Sequence, residues 1–383
     1  MKRSKDKTAD PPPPAPAQGA VAEPGAGGPQ PSLSDWRQLY RAAADLWKAA
    51  PWDWMSDTDL FAVKNPADGQ IAYCCVIGEM RETLGLIAFL GTDGLECWRW
   101  MQGREKTLSG EELARELIFR QRGLSLTFSR TDELEKEDIA VIRKLKLRAR
   151  GPGSWPHFRS HTPGLFPWFL TKPEAAFMTL VLRQALDVSA RFGKNPGLLD
   201  PPAGANGLFF ARVPRTGAGA AGSAGETAWE DGWVEPLPEA DGGLMPSEEI
   251  DEARLAALAA AAARTDDVLE IDADRSSQPV VGKEDGRLFF PLFLLVVDSR
   301  TGFIYGAHFE KRETAGRVFV DKLLGALERK NIVPAAVRVK REEIGAWLQP
   351  VTSRLGIELS LAPGLPALEE ALASMEDYLN RRR

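Results

Sequence analysis

The chain has 383 residues, 44% hydrophobic and 27% charged, with a net charge of −6. That length predicts about two or three domains, and the composition predicts folded domains rather than a fibrous or wholly disordered chain. The acidic balance speaks against a broad basic surface for nucleic acid, and three cysteines without framework spacing speak against a disulfide scaffold.

Residues 1–31 are Pro, Ala, Gly and charge with almost no large apolar side chain. Such a segment cannot bury enough surface to offset its ordering entropy, which predicts a disordered tail. It has no apolar run of signal-peptide type. The basic groups at Lys2–Lys7, Arg143–Arg150 and Arg381–Arg383 read as solvated termini and a solvated helix face.

A helix is expected from Ser34 or Asp35 as cap to about Ala50, with Trp36, Leu39, Tyr40, Ala43, Leu46 and Trp47 on its apolar face. Pro51 ends it, and Ser56 with Asp59 has capping-box-like spacing. Strands follow at Leu60–Lys64, Ile71–Gly78 and Leu84–Leu90, the first two joined by the turn Asn65–Gly69. Tyr73–Ile77 is apolar on both faces and so central in its sheet. Helices are expected at Gly94–Gln102 and Gly110–Arg122, a strand at Leu124–Phe128 and a helix at Glu135–Leu147. The stretch from Gly151 to Trp168 holds four prolines and three glycines and reads as irregular. Thr171 then caps a helix to about Arg191.

Residues 194–248 lack periodicity, and Gly217–Gly225 has linker composition. An Ala-rich helix is expected at Glu248–Arg264 and a strand at Val268–Ile271. The remainder reads as strands Leu288–Asp298 and Phe303–Phe309, helix Thr314–Lys330, strand Ala336–Lys340, helix Glu342–Leu355, strand Ile357–Leu361 and helix Pro366–Arg381. The fold class is therefore α+β: an antiparallel sheet with helices in the N-terminal domain, then an α/β domain of order β-β-α-β-α-β-α. The expected boundaries are a tail at 1–31, an N-terminal Trp-rich domain at 32–193, linker and connecting elements at 194–279, and a C-terminal domain at 280–383.

Eight of the eleven Trp residues fall between Trp36 and Trp168. The run Pro51-Trp52-Asp53-Trp54-Met55, followed by Asp57, Asp59, Leu60, Phe61, Tyr73 and Gly78, resembles an uncharacterised bacterial domain family. The segment Pro291–Gly302 with Leu365-Pro366-Ala367-Leu368 resembles a second such family that often shares a chain with the first. The resemblance covers roughly residues 33–190 and 280–380. It implies two domains of unknown function in a bacterial cytoplasmic protein, with no known activity, cofactor or catalytic residue.

Asp298 ends an apolar strand, Asp321 lies on the next helix, and Glu342 follows a later strand. That pattern resembles the ribonuclease H-like arrangement, whose acids hold two Mg²⁺ ions for phosphodiester hydrolysis. Two departures stand against it. A third antiparallel strand is missing between Phe309 and the helix, and Lys340 closes the later strand. The plainer account of Asp298 is a turn residue bonding backbone N–H groups before Gly302. His157 and His161 are spaced i, i+4, but in a Pro-rich loop where that spacing does not align them, and no metal is expected.

The second candidate is the irregular stretch itself, which would display Trp155, His157, Phe158, Arg159, His161, Phe166 and Trp168 on a Pro-stiffened loop. Aromatic and Arg side chains on rigid loops are typical contact hot spots. The favoured function is a non-enzymatic interaction or regulatory protein with a protein partner, no cofactor and no membrane. The alternatives are a divergent ribonuclease H-like nuclease needing Mg²⁺ and a small-ligand sensor with an aromatic pocket. Net charge does not indicate a nucleic-acid partner, and the sequence does not give the oligomeric state.

Overall fold

The computed structural model describes residues 28–104, 109–149, 151, 153–205, 207–215, 227–236, 251–275, 280–281 and 288–380. The expected linker at Gly217–Gly225 and residues 1–27 of the expected tail lie outside them.

Helix α1 (Leu33–Ala49) has its cap two or three residues before the expected Ser34 or Asp35. Ser32 is the cap: its hydroxyl accepts the Asp35 N–H, and the Asp35 carboxylate accepts the Ser32 N–H at 2.8 Å. Asp35 thus serves as the acid inside the first turn of a capping box. Strands β1 (Phe61–Lys64), β2 (Ile71–Ile77) and β3 (Gly85–Leu90) follow, then α2 (Gly91–Arg104), α3 (Gly110–Arg120), β4 (Gly123–Ser129) and α4 (Lys136–Leu145). Strand β5 (Trp155–His161), α5 (Lys172–Phe192), β6 (Phe209–Pro214) and β7 (Trp229–Val234) complete the unit.

The seven strands lie in the order β5-β4-β3-β2-β1-β6-β7, with β1 to β5 an antiparallel meander. Strand β2 is central, as its two-sided apolar pattern requires. Ala72, Cys74 and Val76 face α1 and α5, while Tyr73 and Cys75 face the Leu95, Cys97 and Leu117 side. The Trp cluster is largely core. Trp52 packs against Trp47 and Phe128, and the Trp54 indole N–H donates to Ser189 O at 3.0 Å.

The expected irregular stretch differs most. Residues 155–161 form a strand paired with β4 over its whole length. Three of the four prolines fall outside the strand, and Pro156 sits near its start at the sheet edge, where a missing N–H is tolerated. The sheet also runs past residue 193. Strand β6 pairs parallel with β1, and β7 pairs with β6.

The second unit begins with α6 (Glu252–Ala261), β8 (Ala263–Arg264), β9 (Val268–Arg275), β10 (Val280–Val281) and β11 (Leu288–Phe289). It continues through β12 (Leu292–Asp298), β13 (Ile304–Glu310), α7 (Arg312–Lys330), β14 (Ile332–Val333), β15 (Ala336–Val339), α8 (Glu342–Leu355), β16 (Glu358–Leu361) and α9 (Pro366–Asn380). Its main sheet has the order β13-β12-β9-β15-β16. Strands β9, β12 and β13 are antiparallel, and β15 and β16 run parallel to β9. Among the described residues no further strand lies between Phe309 and α7; the third antiparallel strand of the sheet is β9, which precedes residue 280. The expected connecting region at 194–279 supplies β6 and β7 to one sheet and β9 to the other. Helices α7 and α8 cover one face of the second sheet around Phe319 and Trp347, and α9 covers the other around Phe293, Leu295 and Leu368.

The two sheets are clasped by a short antiparallel contact. Phe290 N–H donates to Gly164 O at 2.7 Å, and Phe166 N–H donates to Leu288 O at 3.0 Å. The Phe290 ring is buried between Phe119 and Phe166, at centroid distances of 6.1 and 6.3 Å. Truncating a buried Phe to Ala costs about 3–5 kcal/mol. Scanning calorimetry of Phe290→Ala is therefore expected to show a lowered Tm and the two sheets melting apart; an unchanged profile would show that the clasp contributes nothing.

Candidate functional site

The three acids do not share a cleft. Asp298 is a turn residue: its Oδ1 accepts the N–H groups of Arg300 and Thr301 at 3.0 and 2.6 Å and the Thr301 hydroxyl at 2.7 Å. Burial alone would raise its pKa, but the bonds from Thr301 and Arg300 outweigh it and hold the carboxyl below its ordinary value. Asp321 lies on the exposed side of α7 and pairs with Arg254 of α6 at 2.7 Å. Glu342 opens α8 at the opposite end of the sheet. Asp298 stands opposite Leu269, whereas Arg341, next to Glu342, donates to Ala273 O. Those two points on β9 are four residues apart, roughly 13 Å at about 3.3 Å per residue. Among the described residues, no group of three or more His, Cys, Asp or Glu side chains is placed to hold a metal ion.

Two buried acids escaped the sequence reading. Glu270 and Asp272 alternate with Leu269, Ile271 and Ala273 along β9 and so face α9. Glu270 Oε2 accepts the Leu368 N–H at 3.0 Å, capping the first turn of α9. Asp272 lies 3.8 Å from Arg341 Nε, which joins the end of β15 to the sheet. The alternation Val-Leu-Glu-Ile-Asp-Ala in one strand was the available signal.

The seven residues of the expected contact loop are drawn inward or onto neighbouring elements. The Trp155 indole donates to Thr131 Oγ1 at 3.1 Å. Phe158 is buried edge-on to Tyr40 at 5.4 Å. Arg159, 5% exposed, forks onto Asp138 of α4 at 2.7 and 3.1 Å and stands 4.6 Å over the Phe169 ring. His157 Nδ1 lies 3.4 Å from Thr127 Oγ1, and His161 Nε2 lies 2.9 Å from Ser125 Oγ. Phe166 stacks on Phe290 of the second domain, and Trp168 is buried beside Phe169. Proline content indicated a loop; cross-strand pairing with β4 overrode it and turned successive side chains to alternate faces.

An open apolar surface lies elsewhere, on β13. Among the described residues no strand pairs with its outer edge. Phe309 is 64% exposed and stacks on Phe293 with ring centroids 4.4 Å apart. At the other end of the strand, a groove of about 780 Å³ runs between the β12–β13 turn and α9. Arg300, Gly302, Ile304, Ala371 and Met375 line it, together with small and polar residues, and among the described residues no aromatic side chain does. The sequence signal was the apolar run Ile304–Phe309 at the end of the strand order.

Arg159 and His157 give two tests. Arg159→Met would leave Asp138 buried without its partner, a loss of about 3–5 kcal/mol expected in urea denaturation. Burial, then the Arg159 charge, lowers the His157 pKa from 6.5 to about 4. Between those values the unfolded chain binds more protons, so stability falls as pH drops from 6.5 towards 4. Denaturation across that range should show this loss in the wild type and lack it in His157→Asn.

No helix among the described residues is long and apolar enough to cross a membrane. No curated protein matches the chain. Among solved structures, a chain of the simian T-cell lymphotropic virus intasome in complex with PP2A regulatory subunit B56 gamma is 16% identical, with 30% of this chain and 41% of that chain covered and a TM-score of 0.25. The HTLV-2 integrase catalytic core domain in complex with magnesium is 14% identical, with coverages of 32% and 74% and a TM-score of 0.23. Residues 36–212 match the family model described as Domain of unknown function (DUF7309). Residues 254–376 match Domain of unknown function (DUF6930). The chain is thus a two-domain protein that joins these two domains of unknown function.

Proposed function

We propose that the chain is a non-enzymatic interaction or regulatory protein whose contact surface is the outer edge of β13 with the groove beside α9. The observation that supports this reading is an edge strand rich in apolar residues that, among the described residues, no other strand covers, beside a groove of mixed apolar and polar lining. An edge strand presents backbone N–H and C=O groups that another polypeptide can pair with. Alternate side chains of the incoming segment would then enter the groove, and Phe309 would supply an aromatic anchor. A polypeptide partner fits this surface; the reading needs neither cofactor nor metal.

The ribonuclease H-like alternative gains a strand from β9 but, among the described residues, no cluster of carboxylates placed to hold a metal ion. The sensor alternative would need an aromatic-lined pocket, and among the described residues the groove is lined by aliphatic, small, polar and charged side chains.

Phe309 is exposed, so Phe309→Asp should leave the fold intact while placing a charge on the contact surface. Quantitative affinity capture should find polypeptides held by the wild type and lost from this variant. Identical captured sets would overturn the reading. So would nucleic-acid cleavage by the purified chain with Mg²⁺ or Mn²⁺.

A further inference from the structure

We infer that the polypeptide paired with β13 is β13 of a second copy, the two strands running antiparallel about a two-fold axis at Ala307. The inference rests on the interaction reading above and names its partner. The argument is the self-complementarity of the strand. A two-fold contact needs each copy to carry both halves of the interface. Strand β13 does: Phe309 protrudes at one end, and the groove bordered by Ile304, Ala371 and Met375 opens at the other. Antiparallel pairing sets each end against the opposite end of its mate, so each Phe309 reaches the groove of the other copy.

The register supports the same axis. Val296 pairs with Gly306 and Val297 with Ile304, so Tyr305 is an extra residue in the ladder. Counting across that bulge, Ile304 and Phe309 are equally far from Ala307. A pairing centred on Ala307 therefore opposes Ile304 to the mate's Phe309 and Gly306 to its His308. Faces agree as well. Ile304 borders the α9 groove and Phe309 stacks on Phe293 of the α9-side cluster. Directly opposed residues in an antiparallel pair share a face, so both apolar pairs lie on the α9 side. Gly306 has no side chain to collide with the imidazole opposite. Ile304–Phe309 contains no Asp, Glu, Lys or Arg, so pairing opposes no like formal charges. The product is a continuous ten-stranded sheet built from two five-stranded ones.

Light scattering after size exclusion, on the full chain, tests this directly. The wild type is expected at twice 41.9 kDa, and Ile304→Lys and Phe309→Asp, each with unchanged circular dichroism and Tm, at the single mass. The double variant Ile304→Lys/Phe309→Asp places opposite charges across both symmetry-related pairs and is expected to restore the dimer. A wild-type chain that stays monomeric, or a dimer that survives both single substitutions, overturns the inference. So does a double variant that remains monomeric. A monomer whose captured partners are still lost on Phe309→Asp would overturn the second copy while leaving the interaction reading standing.

Discussion

Phe290 governs how this chain presents itself. Its ring is buried between Phe119 and Phe166, and the backbone on either side bonds to residues 164–166. The contact joins the two sheets through a residue that belongs to neither. It also uses the aromatic segment that would otherwise be the natural recognition loop. Phe166 cannot both stack on Phe290 and receive an external partner. Most aromatic side chains of the first domain pack within its own core, and Phe119 and Phe166 hold the second unit through Phe290.

The charged interior of the first domain follows a similar logic. Burying Arg159 and Asp138 has a desolvation penalty that their attraction offsets only with good geometry. The forked contact at 2.7 and 3.1 Å, the Phe158 carbonyl and the Phe169 ring together provide it. The pair fixes α4 to the edge strand β5. Nearby His157 cannot add another charge beside Arg159, so it is kept neutral by burial and by that guanidinium. This cluster has the residue types of a catalytic site, yet its geometry accounts for it as an anchor.

Periodicity made most of the helices and the first four strands legible, because each has one or two apolar sides to bury. It failed where a strand owes its existence to a distant partner. Strand β5 contains Pro156 and four ring-bearing or charged residues in alternation, Trp155, His157, Arg159 and His161, and pairing with β4 makes it a strand. Strand β6 has little pattern of its own and is held by β1, more than a hundred residues earlier. Strand β9 was recognised as a strand but assigned to no sheet, because its neighbours β12 and β15 come later in the chain. The acids suffered from the same limitation. Positions near strand ends can be read in sequence, but which ends meet depends on strand direction, and Asp298 and Glu342 lie at opposite ends.

Strand direction and edge chemistry also single out β13 among the sheet edges. Strand β5 is bridged by Trp168, whose backbone bonds to Ser160 in both directions. Strand β7 carries Glu230 and Asp231, and Asp231 is held by Arg191 and Arg212. Strand β16 is four residues long and begins with Glu358. Charge, shortness and cover are the usual means of keeping an edge from pairing. Strand β13 has seven residues, no proline or lysine, and a single bulge. A bulge ordinarily twists an edge away from partners, but here it shifts Ile304 onto the face that Phe309 occupies. The irregularity that would blunt pairing with an arbitrary strand is the one that lets β13 match itself.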